Sequence, residues 1–242
     1  MYSILEHYLS TNHILMIGMI VTFILTFFLL EHPFSFLPSD QGRAFAVNGS
    51  LSKGKLRGVG FIFVLCFLIS SVLFLPIDVE YVIYAILLFA MMISGYLDDA
   101  SKTPWNEYKK GLIDLVISVV AVLTYMNFNS TTICFGADEI VIPKALFLIL
   151  GVILIWVSVN VTNCTDGVDG LCASLCSVTL LAFGVLFAPI LQKYAMANFL
   201  FLSVLFAYLY FNSSPSSMLM GDAGSRALGF YIAVIALKST HP

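Results

Sequence analysis

The chain has 242 residues, of which 60% are hydrophobic and only 10% charged. A soluble domain carries about a quarter charged residues, so this composition excludes a soluble globular protein and indicates an integral membrane protein. The net charge of -3 comes with no basic tail or Arg-rich run, so nucleic acid is not an expected partner.

A membrane-spanning helix needs about 20 mostly apolar residues. Runs of that kind occupy 13–30, 60–75, 79–96, 112–126, 143–159, 171–190, 197–211 and 227–237. They lack the period-two alternation of a transmembrane barrel. The expected fold is an all-α polytopic membrane protein of about eight transmembrane helices, forming one integral membrane domain over residues 1–242. The stretches 76–80 and 127–143 read as a short turn and a solvated loop. The five cysteines include no C-x-x-C pair, and they read as small packing residues.

Eight spans put both ends of the chain on one side of the membrane. One set of loops holds Arg43, Lys53, Lys55, Arg57, Lys102, Lys109, Lys110 and Arg226, whereas the opposite set holds only Lys144, Lys193 and Lys238. Basic residues concentrate in cytoplasmic loops, so the first set is expected inside and both termini outside. The loop 31–58 and three polar islands then fall on the cytoplasmic side. The islands are Leu97-Asp98-Asp99 with Lys102, the segment 160–170, and Met220-Gly221-Asp222-Ala223-Gly224-Ser225. The count used only basic residues, so this coincidence is independent support for one composite site formed by cytoplasmic loops.

Each island has a structural and a functional reading. Asp98 and Asp99 can simply end a helix, but neighbours on a helix point about 100° apart, which suits two different tasks. Lys102 shares a face with Asp99 if the helix continues. Asp166 and Asp169 share a face if their segment is helical. One residue there can cap a helix, but capping leaves Asn160, Asn163, Asp166 and Asp169 unexplained as a group. Asp222, flanked by Gly221 and Gly224, can cap the last helix or aim at a metal. Hard oxygen donors without a His/Cys cluster suit Mg²⁺ or Mn²⁺. Together with Lys53, Lys55, Arg57, Lys102, Lys109 and Lys110 they fit phosphoryl transfer involving a lipid phosphate at a membrane surface.

Asp98-Asp99, N-x-x-N-x-T-D-G-x-D-G-L over 160–171, Asn212 and Met220–Ser225 occur in this order between spans. In this the chain resembles the polyprenyl-phosphate N-acetylhexosamine-1-phosphate transferases, and most of all their phospho-N-acetylmuramoyl-pentapeptide-transferase branch. The resemblance implies a bacterial plasma-membrane enzyme of peptidoglycan biosynthesis. Its substrates would be UDP-MurNAc-pentapeptide and undecaprenyl phosphate, within membrane lipid, and its cofactor Mg²⁺. It implies a catalytic cluster of Asp98, Asp99, Asp166 and Asp222, with Mg²⁺ on Asp222 and on Asp98 or Asp99, and Asp98 as the leading candidate base. It implies substrate contacts from Lys53, Lys102, Asn160, Asn163, Asp169 and Asn212. A homodimer is compatible with the sequence without being fixed by it.

Three departures stand out. Gly54-Lys55-Leu56-Arg57-Gly58-Val59-Gly60 replaces a Gly-Thr-Pro-Thr-Met-Gly-Gly run of many members. Lys109 and Lys110 match the second cytoplasmic loop only loosely. The family's C-terminal helices and His-rich loop are expected to be lacking from this chain. Two other functions compete with this one: a sister enzyme transferring GlcNAc-1-phosphate, and an acid-lined cation transporter. Against the transporter, the acids fall at span ends on one side, not at the midplane.

Overall fold

The computed structural model describes residues 1–32, 34–40, 42, 52–101, 103, 105–135, 138–186 and 188–240. After a short turn of helix, α1 (Tyr2–Leu5), come α2 (Thr11–Glu31), α3 (Gly60–Phe74), α4 (Val79–Asp99) and α5 (Glu107–Phe128). A two-stranded ribbon follows, β1 (Thr132–Phe135) and β2 (Asp138–Val141), then α6 (Lys144–Thr165), α7 (Leu171–Leu186), α8 (Gln192–Asn212) and α9 (Gly221–Lys238). The eight apolar runs coincide with α2 to α9. By length and composition, α2, α4, α5, α6 and α8 can cross a membrane, and α3 and α7 are shorter apolar helices. Asp222, Arg226 and Lys238 interrupt the apolar character of the 18-residue α9.

Local chemistry sets several boundaries. Asp78 accepts a hydrogen bond from the Tyr81 N–H at 2.8 Å and starts α4, and Asn106 does the same for the Tyr108 N–H at 3.0 Å and α5. Residues 127–143, read as a solvated loop, instead contain the antiparallel ribbon, with Thr132 opposite Val141 and Cys134 opposite Glu139. The Cys134 N–H donates to the Thr240 carbonyl at 3.0 Å, which docks the ribbon on the end of α9.

The core forms around α9, which is buried on nearly every face. A helix buried all round sits in the centre of a bundle, and the charges that α9 carries there, Asp222, Arg226 and Lys238, are paired. It packs mainly against α4 and α6, while α8 packs against α2 and α7. The outer faces of α2, α5 and α6 expose Ile, Leu, Val and Phe side chains, as surfaces solvated by lipid do. At the end opposite the polar islands, Lys238 pairs with Glu80 at 3.0 Å and with Asn129 at 2.6 Å, all but sealed from solvent.

At the other end the first turn of α9 is wedged between α3 and α4. A Cβ on Gly60 would lie 2.1 Å from the Gly224 backbone nitrogen, so only glycine permits this helix contact. Gly221 has φ +66, and a Cβ there would strike the Asp99 carboxylate at 2.3 Å. Both the backbone conformation and the close approach require glycine. Alternating connections therefore bring the end of α4, the start of α5, the end of α6 and the start of α9 to one pole of the bundle.

Candidate active site

Arg57, in the loop before α3, gathers three carboxylates from different parts of the chain. Its Nε donates to Asp99 Oδ1 at 2.8 Å, Nη1 reaches Asp40 Oδ1 at 3.3 Å, and Nη2 lies 3.6 Å from Asp222 Oδ1. Burial works against its charge, but Asp99, then Asp222 and Asp40, outweigh burial and raise its pKa above the ordinary value. Asp99 also accepts from the Ala223 N–H at 3.2 Å, so it caps the free N–H groups of α9 from the neighbouring helix. The Asp99 side chain has no exposed surface.

Asp98 points elsewhere, as the helical offset between neighbours predicts. It accepts from the Trp105 N–H at 2.7 Å and pairs with Lys110 Nζ at 2.7 Å. The same ammonium lies 3.5 Å from Asp222 Oδ2. Asp98 and Asp222 thus converge on one cationic point. Asp40, Asp98, Asp99 and Asp222 outnumber Arg57 and Lys110 two to one. No group of three or more His, Cys, Asp or Glu with the spacing to hold a metal occurs among the described residues. Mg²⁺ needs less than that, because it is bound through one or two carboxylates plus substrate phosphates. Two converging carboxylates and an excess of negative charge fit it.

The segment 160–170 divides. Helix α6 runs through Thr165, so Asn160 and Asn163 stand on its last turns and line a cavity of about 360 Å³ with Lys110 and Asp222. Asn160 also donates to the Trp156 carbonyl at 2.7 Å. Residues 166–170 are turns, not helix, so Asp166 and Asp169 do not share a helical face. Asp166 ends α6 as its C-cap, within electrostatic reach of Tyr208. Asp169 accepts from the Ser216 N–H at 3.0 Å and the Ser216 hydroxyl at 2.7 Å, and lies 3.8 Å from Lys55. Asn212, 3% exposed, accepts from the Gly170 N–H and donates to the Met218 carbonyl. Asp169 and Asn212 thereby clasp three loops together beside the Asp98–Asp222 centre. Lys55, rather than the exposed Lys53, meets Asp169. Lys102 lies outside the described residues.

The clasp carries a pH prediction. Burial alone would raise the Asp169 pKa, but the two Ser216 donors and then Lys55 lower it below the ordinary carboxylate value. The folded value is therefore below the unfolded one, near ~3.9. The clasp contributes stability above the unfolded value and loses it as pH falls through the folded value. Asp169→Asn is expected to lower thermal stability by about 1 kcal/mol at neutral pH, the scale of a part-exposed ion pair. The difference from wild type should vanish in melts run well below about pH 4.

Asp40, Asp114 and Arg226 carry weight that sequence reading did not assign. Asp114 and Arg226 form a buried ion pair between α5 and α9. Asp114 is a charge inside an otherwise apolar run, whereas Arg226, counted above among loop residues, stands in the second turn of α9.

The glycosyl transferase family 4 profile matches residues 81–240, which include Asp98, Asp166, Asp169, Asn212 and Asp222. The chain belongs to glycosyl transferase family 4. Among named relatives, the phospho-N-acetylmuramoyl-pentapeptide-transferase of Treponema pallidum is 35% identical over 248 aligned positions, covering 93% of this chain and 68% of the relative. The enzyme of that name from Microcystis aeruginosa is 31% identical, covering 75% of this chain and 53% of the relative. That of Dictyoglomus turgidum is 26% identical, covering 93% and 74%. This family 4 member is thus a polytopic membrane protein of transferase type.

Proposed function

We propose that the chain transfers the phospho-N-acetylmuramoyl-pentapeptide group from UDP-MurNAc-pentapeptide to undecaprenyl phosphate, giving lipid I and UMP in peptidoglycan biosynthesis. The observation that carries this function is the convergence of Asp98 and Asp222 on one cationic point at a single pole of the bundle. Relatives named for the activity cover most of the chain.

In this reaction a phosphate oxygen of the acceptor lipid bonds to the β-phosphorus of the nucleotide sugar. The bond from that phosphorus to the bridging oxygen breaks, and UMP leaves with the oxygen. One pyrophosphate is made as another is broken, so rate must come from positioning and charge neutralisation. Asp222 and Asp98 are the residues that would hold Mg²⁺, which supplies neutralisation of the transferring phosphates. Asp98 would also be the leading candidate to take a proton from the acceptor phosphate. Lys110, between the two carboxylates, would keep their charges together before substrate arrives and neutralise phosphate afterwards. Asp99 acts by position, fixing Arg57 and the first turn of α9. Asn160 and Asn163 would hydrogen-bond substrate in their cavity. Asp166 and Asp169, with Lys55 in the clasp, would frame the nucleotide side. The positive-inside distribution of loops supports a site on the cytoplasmic face of a bacterial plasma membrane, with both ends of this chain outside.

Membranes containing the protein are expected to convert radiolabelled UDP-MurNAc-pentapeptide into a lipid-linked product. EDTA should abolish conversion and added Mg²⁺ should restore it. Conversion that persists undiminished in EDTA would remove the metal from this scheme.

A further inference from the structure

Below the Asp98–Asp222 centre lies a second charged rung that the proposed reaction does not use. Lys110 and Asp114 are four residues apart on α5, and Asp222 and Arg226 are four apart on α9, so each pair shares a helix face. The upper rung is Lys110–Asp222 at 3.5 Å, and the lower is Arg226 Nη2 donating to Asp114 Oδ1. All four residues line the cavity that also holds Asn160 and Asn163.

The lower rung is incomplete. Arg226 is 2% exposed, and its Nε and Nη1 have no hydrogen-bond partner among the described residues. A buried charged donor left without a partner is costly, so these two groups favour any acceptor that reaches them. Nε and Nη1 lie on either side of the Nη2 that meets Asp114, so each can give a phosphate oxygen one charge-assisted hydrogen bond. Asp114 already balances the charge, so an anion held there is bound by directed hydrogen bonds more than by net charge, and can leave. Four residues along a helix is about 6 Å, which places these donors one turn deeper than Asp222.

Resting on the transferase reading above, we infer that Arg226 is a further phosphate-binding residue, whose free N–H groups take a phosphate monoester in the cavity between α5, α6 and α9. Trp156, 42% exposed, stands on the same cavity wall on the lipid-facing helix α6. That surrounding favours a phosphate carried on a lipid over one carried on a nucleotide.

The test is equilibrium binding to the detergent-purified full chain of a polyprenyl phosphate, the matching polyprenol and UMP, with turnover measured on the same preparation. Because Arg226→Gln alone strands a buried carboxylate, the main variant is Asp114→Asn with Arg226→Gln, and Arg226→Lys serves as a charge-keeping control. Wild type should prefer the polyprenyl phosphate to the polyprenol by at least about tenfold, the scale of a charge-assisted hydrogen-bond pair. The double variant should lose that preference with UMP affinity unchanged, and Arg226→Lys should recover only part of it. Loss of UMP affinity in place of the lipid preference would assign the same subsite to the nucleotide phosphate. A preference kept in full by the double variant would overturn the inference while leaving the transferase standing if wild type turns over. An Arg226-dependent preference in a protein that releases no UMP would instead sink the transferase and leave the subsite.

Discussion

Asp222→Asn is expected to fold normally and to release UMP at least about a hundredfold more slowly than wild type, the scale of losing one directed electrostatic group from an active site. Asp222 is 7% exposed in the first turn of α9 and faces both Arg57 and Lys110. Its removal leaves Arg57 on Asp99 and Lys110 on Asp98, so each half-buried cation keeps a partner and the bundle keeps its packing. The amide has nearly the same shape but cannot supply the negative charge on which a divalent cation depends. The measurement is initial-rate UMP release beside a thermal melt in the same detergent. A rate within about threefold of wild type, well short of the loss expected for such a group, would remove Asp222 from the centre of the chemistry.

Gly60→Ala should have the largest structural effect. Its new Cβ would meet the nitrogen of Gly224 at 2.1 Å and its Cα at 2.2 Å. These are backbone atoms, so no side-chain rotation relieves the clash, and α3 must move away from α9. Overpacking of this kind costs about 1–3 kcal/mol or more, and the displaced turn carries Asp222. Stability and turnover should therefore fall together. Gly111→Ala is the control: a Cβ there meets only the Trp156 ring at 3.9 Å. Within α5 that change should hold or raise stability by about 0.5–1 kcal/mol. A Gly60→Ala protein as stable as wild type would mean that α3 and α9 are not so close.

The helices were legible in the sequence because lipid imposes long apolar runs, and each such run became one helix. The meeting of Asp98, Asp99 and Asp222 was legible through loop charge alone, because alternating spans carry alternate loops to the same pole. Pairing was not legible. Arg57 and Lys110 look in sequence like anion-binding residues, yet both lie among carboxylates. The partners of Arg226 and Lys238, Asp114 and Glu80, are more than a hundred residues away, and only the packing of α9 against α4 and α5 selects them. The segment 160–170 reads as one polar unit, but α6 extends far enough to turn Asn160 and Asn163 into the cavity and leave Asp169 to a loop clasp. The ribbon at 132–141 escaped notice because two short strands leave little periodicity over so few residues.

The central claim is tested most directly by UMP release from purified protein supplied with undecaprenyl phosphate, Mg²⁺ and either UDP-MurNAc-pentapeptide or UDP-GlcNAc. UMP should appear with the muramyl substrate and not with UDP-GlcNAc. UMP from UDP-GlcNAc alone would contradict this account and make the chain a sister transferase of the same fold.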